Sequence, residues 1–123
     1  MMDKEIFVNL LQDRQFKAVK SILNVMNAVD TASLLSELDD KELALAFRLI
    51  PKEEAAEVFA NMNNTMQSYL VEMFTEKELQ ELLEDLYMDD TVDLLEELPA
   101  NLVIRILDNV SQSKRNMINV LLN

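Results

Sequence analysis

Residues 75–86, TEKELQELLEDL, and residues 87–98, YMDDTVDLLEEL, superimpose leucine on leucine at a step of twelve. Leu82 falls on Leu94, Leu83 on Leu95 and Leu86 on Leu98. With Leu79 added, the positions are spaced i, i+3, i+4 and i+7, which is one face of an α-helix. Each twelve-residue line is therefore expected to be one short amphipathic helix with its connection.

The step continues in both directions. One column runs Leu38, Ile50, Met62, Phe74, Leu86, Leu98, Val110 and Leu122, and a second runs Leu34, Ala46, Val58, Leu70, Leu82, Leu94, Ile106 and Ile118, all apolar. A third, Leu35, Phe47, Phe59, Val71, Leu83, Leu95 and Leu107, breaks only at Asn119, and a weaker fourth includes Leu43, Ala55, Leu79 and Val103. An internal period of this kind is the signature of stacked supersecondary units. The residues after the first column include Asp39, Pro51, Thr75 and Pro99, which favour helix starts. Asp39 with Glu42 and Thr75 with Glu78 read as capping boxes.

These features predict an all-α chain of about ten short helices. Roughly eight lie from about residue 28 onward, after two less regular ones near 3–12 and 15–26. Helices this short are marginal alone, so their apolar stripes must stack on neighbours. The expected architecture is one domain spanning 1–123, a solenoid or superhelix, since bundle helices are longer and fewer. With few aromatics, its core is expected to use most of the eight methionines as filler. Tyr69 and Tyr87 fall off the stripe and are expected as partly buried phenols.

Composition narrows the chemistry. The chain of 123 residues has no glycine, cysteine or histidine. Glycine-rich phosphate loops, disulfides, thiolate or imidazole zinc sites and nucleophile–histidine pairs are excluded. A bound metal must be a hard ion on oxygen ligands. A formal charge of −12 repels nucleic acid and favours cations or basic protein surfaces as partners. No apolar run approaches the ~18 residues that span a bilayer. The opening MMDKEIFVNLLQ lacks the basic and apolar regions of a signal peptide. A soluble, intracellular chain without direct membrane insertion is expected.

The acid is concentrated. Between Lys77 and Arg105 there is no basic residue and there are nine acidic ones. Acidic residues in first helical turns often serve only the macrodipole and solubility, and Asp89 and Asp90 fit that reading. The extent of the run argues for more, because such a field opposes the compact state unless a counter-ion or partner meets it. Asp89 and Asp93, at i and i+4, share one helix face. Glu57 and Asp93 lie 36 residues apart, in the same register of the repeat. A superhelix turning once in about three helices would set them on one surface.

The segments DDTVDLLEELP (89–99), IPKEEAAEVF (50–59) and TASLLSEL (31–38) resemble the cytoplasmic N-terminal domain of the MgtE family of magnesium transporters and channels. The resemblance is good over about 28–111. It implies a right-handed superhelix preceding a pair of CBS domains and a transmembrane pore domain, in a protein that is a homodimer. It further implies a magnesium-sensing, regulatory role at the cytosolic face of the membrane. Magnesium held between the acidic domain and the CBS domains favours the closed pore, and its loss lets carboxylate repulsion separate them. By position the resemblance assigns magnesium binding to Glu57, Asp89 and Asp93, with Asp90 a lesser candidate. Tyr87-Met88 departs from the family's usual small polar residue ahead of this run. A protein-binding scaffold similar to the middle domain of flagellar motor switch proteins, with no metal role, is the alternative. An enzyme is not expected, since nothing marks a substrate pocket.

Overall fold

The computed structural model describes residues 2–122; the terminal residues of the expected 1–123 span, Met1 and Asn123, lie outside it. Among the described residues there are ten helices and no strand: α1 (Lys4–Gln12), α2 (Phe16–Val25), α3 (Ala28–Leu35), α4 (Asp40–Arg48), α5 (Lys52–Ala60), α6 (Asn64–Met73), α7 (Glu76–Asp85), α8 (Met88–Glu97), α9 (Ala100–Asn109) and α10 (Gln112–Leu122). Every helix starts twelve residues after the one before, from Lys4 to Gln112. The first two helices therefore keep the same step, although the apolar columns there are less complete. The reason is Arg14, which stands where the first column would place an apolar residue. It closes α1 at a positive φ of 57°.

The connections explain how twelve residues make a unit without glycine. Leu86, Leu98 and Val110 leave their helices in extended conformation, at ψ of 142°, 158° and 152°. The following residues Tyr87 and Pro99 are also extended, so ten helical residues and two extended ones complete a repeat. Asp39 and Thr75 form the expected capping boxes with Glu42 and Glu78. Pro51 and Pro99 sit at the N-cap, one place before the first helical residue.

The chain divides into two compact units, Met1–Asn63 and Asn64–Asn123. Within the first, α1 packs on α2 and α4, and α3 on α4 and α5. Phe47 and Phe59 meet edge to face there, with ring centres 6.2 Å apart. Within the second, α9 packs on α6, α7 and α8, and α10 on α8. Contacts between helices two or three places apart, not only adjacent ones, bury the stripes.

All eight residues of the second column, from Leu34 to Ile118, are buried. Full burial of a Val, Leu or Phe side chain stabilises by about 1.5–3 kcal/mol, so this column is the main cohesive element. The fourth column proves better than its composition suggested. It extends back to Phe7 and Val19, both fully buried, and its polar members Thr31, Gln67 and Thr91 are buried too. Thr91 donates its hydroxyl to the Tyr87 carbonyl at 3.3 Å, which satisfies the one polar atom it brings inside.

Two expectations about side chains need correction. Of the described methionines only Met62 and Met66 are buried, while Met73 and Met117 are about half exposed. Aliphatic columns already fill the core and leave few gaps for methionine. Tyr87 is 80% exposed, because the N-cap residue of α8 lies in the extended connection and off the buried stripe.

Candidate functional site

The acidic site is built on the start of α8. Tyr87 caps this helix without a side-chain hydrogen bond, and Met88, Asp89 and Asp90 form its opening residues. Thr91, Leu94 and Leu98 turn inward and are buried, which sets the facing of the helix. Asp89 and Asp93 are thereby left exposed, with Asp90 partly covered, while Glu96 and Glu97 face solvent further along. Both Asp89 and Asp90 complement the positive end of the α8 dipole; Asp93, one turn on, gains less from it.

The three aspartates repel one another. Asp90 is held above its ordinary carboxylate value by partial burial first, then by the charges of Asp93 and Asp89. No lysine or arginine among the described residues pairs with Asp89 or Asp93.

Where the nearby cations go was not apparent from sequence. Arg105 on α9 donates from Nη1 to the Val71 carbonyl at 3.2 Å and from Nη2 to the Phe74 carbonyl at 2.6 Å, at the end of α6. Lys114 on α10 donates from Nζ to the carbonyls of Leu83, Glu84 and Leu86, at 2.7, 2.5 and 3.0 Å, at the end of α7. Arg115 donates to the Leu107 carbonyl and lies 3.9 Å from Asp108. Helix C-termini present unpaired carbonyls and negative partial charge, and cations are well placed there. Arg105, which closes the acidic run, and Lys114 and Arg115 beyond it are therefore engaged with the backbone. No local sequence signal marks the contacts of Arg105 and Lys114, because their carbonyl partners lie 28–34 residues earlier and are reached only through helix packing within the second unit.

Glu57 is exposed and lies in the last turn of α5, in the first unit. Its carbonyl accepts from the Asn61 side chain at 2.9 Å, in the C-terminal closure of that helix. An acidic side chain there opposes the helix dipole. Asp89, Asp90 and Asp93 thus share one helical turn in the second unit, and Glu57 belongs to α5. Among the described residues, no three acidic side chains form a group placed to hold a metal ion. The α8 aspartates fit a hard cation as oxygen donors whose mutual repulsion it would relieve; they offer part of a coordination shell.

No helix of the described residues is long and apolar enough to cross a membrane. Among curated proteins no match to the chain was found. Among solved structures, the cytosolic domain of the Mg2+ channel MgtE in complex with ATP is similar at a TM-score of 0.80 and 25% identity, over 97% of this chain. This chain spans 49% of that one, about half its length. The profile of the MgtE intracellular N domain matches residues 26–123. With that profile covering residues 26–123, most of the sequence, the chain belongs to the family of MgtE intracellular N domains.

Proposed function

We propose that the chain is a magnesium-sensing regulatory domain of an MgtE-type magnesium transporter or channel, acting at the cytosolic face of the membrane. Asp89 and Asp93, with Glu57 and to a lesser degree Asp90, supply carboxylates to magnesium ions held against the CBS domains of the same polypeptide. In the full-length homodimer, bound magnesium joins these domains and favours the closed pore; ion loss leaves like charges to push them apart. The observation that carries this reading is the set of α8 aspartates without cationic partners, in a unit whose Arg105 and Lys114 are spent on carbonyls. Family membership and the similarity to a magnesium channel's cytosolic domain support it.

Magnesium supplies charge neutralisation and bridging; the chain's part is to present oxygens from a rigid turn. Magnesium keeps several waters and is commonly bound by one or two carboxylates, so a half-site of this kind is weak until a partner surface completes it. The test is the magnesium-dependent rise in thermal stability of a polypeptide that joins this chain to its CBS domains. Asp89→Ala and Asp93→Ala should each reduce it several-fold. An undiminished response in both variants would remove these residues from the site.

A further inference from the structure

The junction that launches α8 is built differently from its counterparts. Those before α4 and α7 have capping boxes, and those before α5 and α9 have proline. The junction before α8 has neither, since Tyr87 makes no side-chain cap. Lys114, the third residue of α10, meets it instead. Its ammonium has three N–H donors, and all go to carbonyls: Leu83 and Glu84 in the last turn of α7, at 2.7 and 2.5 Å, and Leu86 at 3.0 Å. Lys114 is itself held, its backbone N–H donating to the Ser111 hydroxyl at 3.2 Å, and α10 packs on α8. The Leu86 carbonyl belongs to the peptide that enters Tyr87. A peptide unit is planar, so fixing that carbonyl fixes the direction in which α8 departs.

We propose that Lys114 is a positioning residue for the α8 carboxylates, acting through the Leu86–Tyr87 peptide without touching the ion. The proposal rests on the magnesium-binding role of Asp89 and Asp93. Those residues follow Leu86 by three and seven positions. At ~1.5 Å of rise per residue, a tilt of about 10° at the junction displaces Asp93 by about 2 Å. That is as long as a magnesium–oxygen bond, and magnesium demands near-ideal octahedral geometry. The sign of the effect separates positioning from simple electrostatics. Removing a positive charge from this unit should by itself tighten the binding of a cation, whereas loss of positioning loosens it.

The experiment measures the midpoint of the magnesium titration in the polypeptide that joins this chain to its CBS domains. Lys114→Met should raise the midpoint about tenfold, as losses of groups that orient metal ligands do. Lys114→Arg should recover part of it, and Arg105→Met, which frees the end of α6 instead, should not raise it. In the magnesium-free protein, exchange of the Thr91 amide, which is bonded to the Tyr87 carbonyl, should quicken in Lys114→Met. Exchange of the Phe74 amide, bonded to Leu70 at the end of α6, should not. Lys114→Gln takes the place of Lys114→Met if circular dichroism shows that the latter fails to fold. A wild-type or lower midpoint in the Lys114 variant, with Asp89→Ala and Asp93→Ala still impaired, overturns the positioning role and leaves the magnesium reading standing. Aspartate variants that respond like wild type overturn both together.

Discussion

Arg105 on α9 reaches the carbonyl of Phe74, 31 residues earlier, at 2.6 Å, and so closes the C-terminus of α6 from outside. In a chain without glycine, helix ends have few left-handed caps, and a cation from a packed neighbour does the same work. Arg105→Met keeps much of the aliphatic stem and removes the donors. It should destabilise the protein by about 1.5–3 kcal/mol, the range for hydrogen bonds to charged groups. Arg105→Lys, lacking the fork that spans two carbonyls, should recover only part. Urea unfolding of the three proteins measures this, and a wild-type midpoint in Arg105→Met would show that the contact is idle.

Arg14 supplies a converse case. Its φ of 57° is left-handed, with Gln15 N–H bonded to the Leu10 carbonyl and Arg14 N–H to the Leu11 carbonyl. This pattern is a Schellman closure, in which glycine is the ordinary occupant. Arg14→Gly should therefore stabilise by up to about 1 kcal/mol, the steric relief being offset in part by unfolded-chain entropy. A fall in thermal midpoint would contradict the account of this turn.

Asp90 yields a pH prediction in magnesium-free buffer. Its folded value is raised above the ordinary 3.8, so the folded state binds more protons than the unfolded one in the window just above that value. Stability from this group is then lost as pH rises through the window, and at neutral pH the charge is a net cost. Asp90→Asn should stabilise at pH 7 by about 0.2–0.5 kcal/mol for each like-charged neighbour relieved. The gain should shrink toward zero below the ordinary carboxylate value. A gain that grows on acidification would reverse the sign of the argument.

Thr91 tests whether the fourth column needs its polar members. The Tyr87 carbonyl that accepts its hydroxyl also accepts the Thr91 N–H at 3.1 Å, so losing the hydroxyl orphans nothing. Thr91→Val should be within about 1 kcal/mol of wild type, since replacing a satisfied polar group by an apolar isostere is close to neutral. Phe59→Ala, by contrast, empties a fully buried site against Phe47 and should cost about 3–5 kcal/mol. Comparable losses in the two would show that the Thr91 hydroxyl has a partner beyond its own turn.

Much of this protein could be read along the chain. The step of twelve, the two capping boxes and the whole second column from Leu34 to Ile118 are local facts of spacing and side-chain type. The acidic candidates of α8 were legible because exposure follows from register: once Leu94 and Leu98 are inside, Asp89 and Asp93 are left outside. The same register misjudged Thr31, Gln67 and Thr91, whose polarity hid their burial. The first two helices were expected near 3–12 and 15–26 and are found there, but outside the columns, because Arg14 interrupts the first of them.

The sequence by itself determined helix number, length and inward face, because those depend on residues within one or two turns of each other. Only the tertiary structure decided which cations were available to answer the carboxylates. Arg105 and Lys114 are committed to carbonyls about thirty residues away, a choice set by how helices stack within the second unit. Charge balance at a surface depends on packing distances between segments remote in the chain, and no local pattern records those.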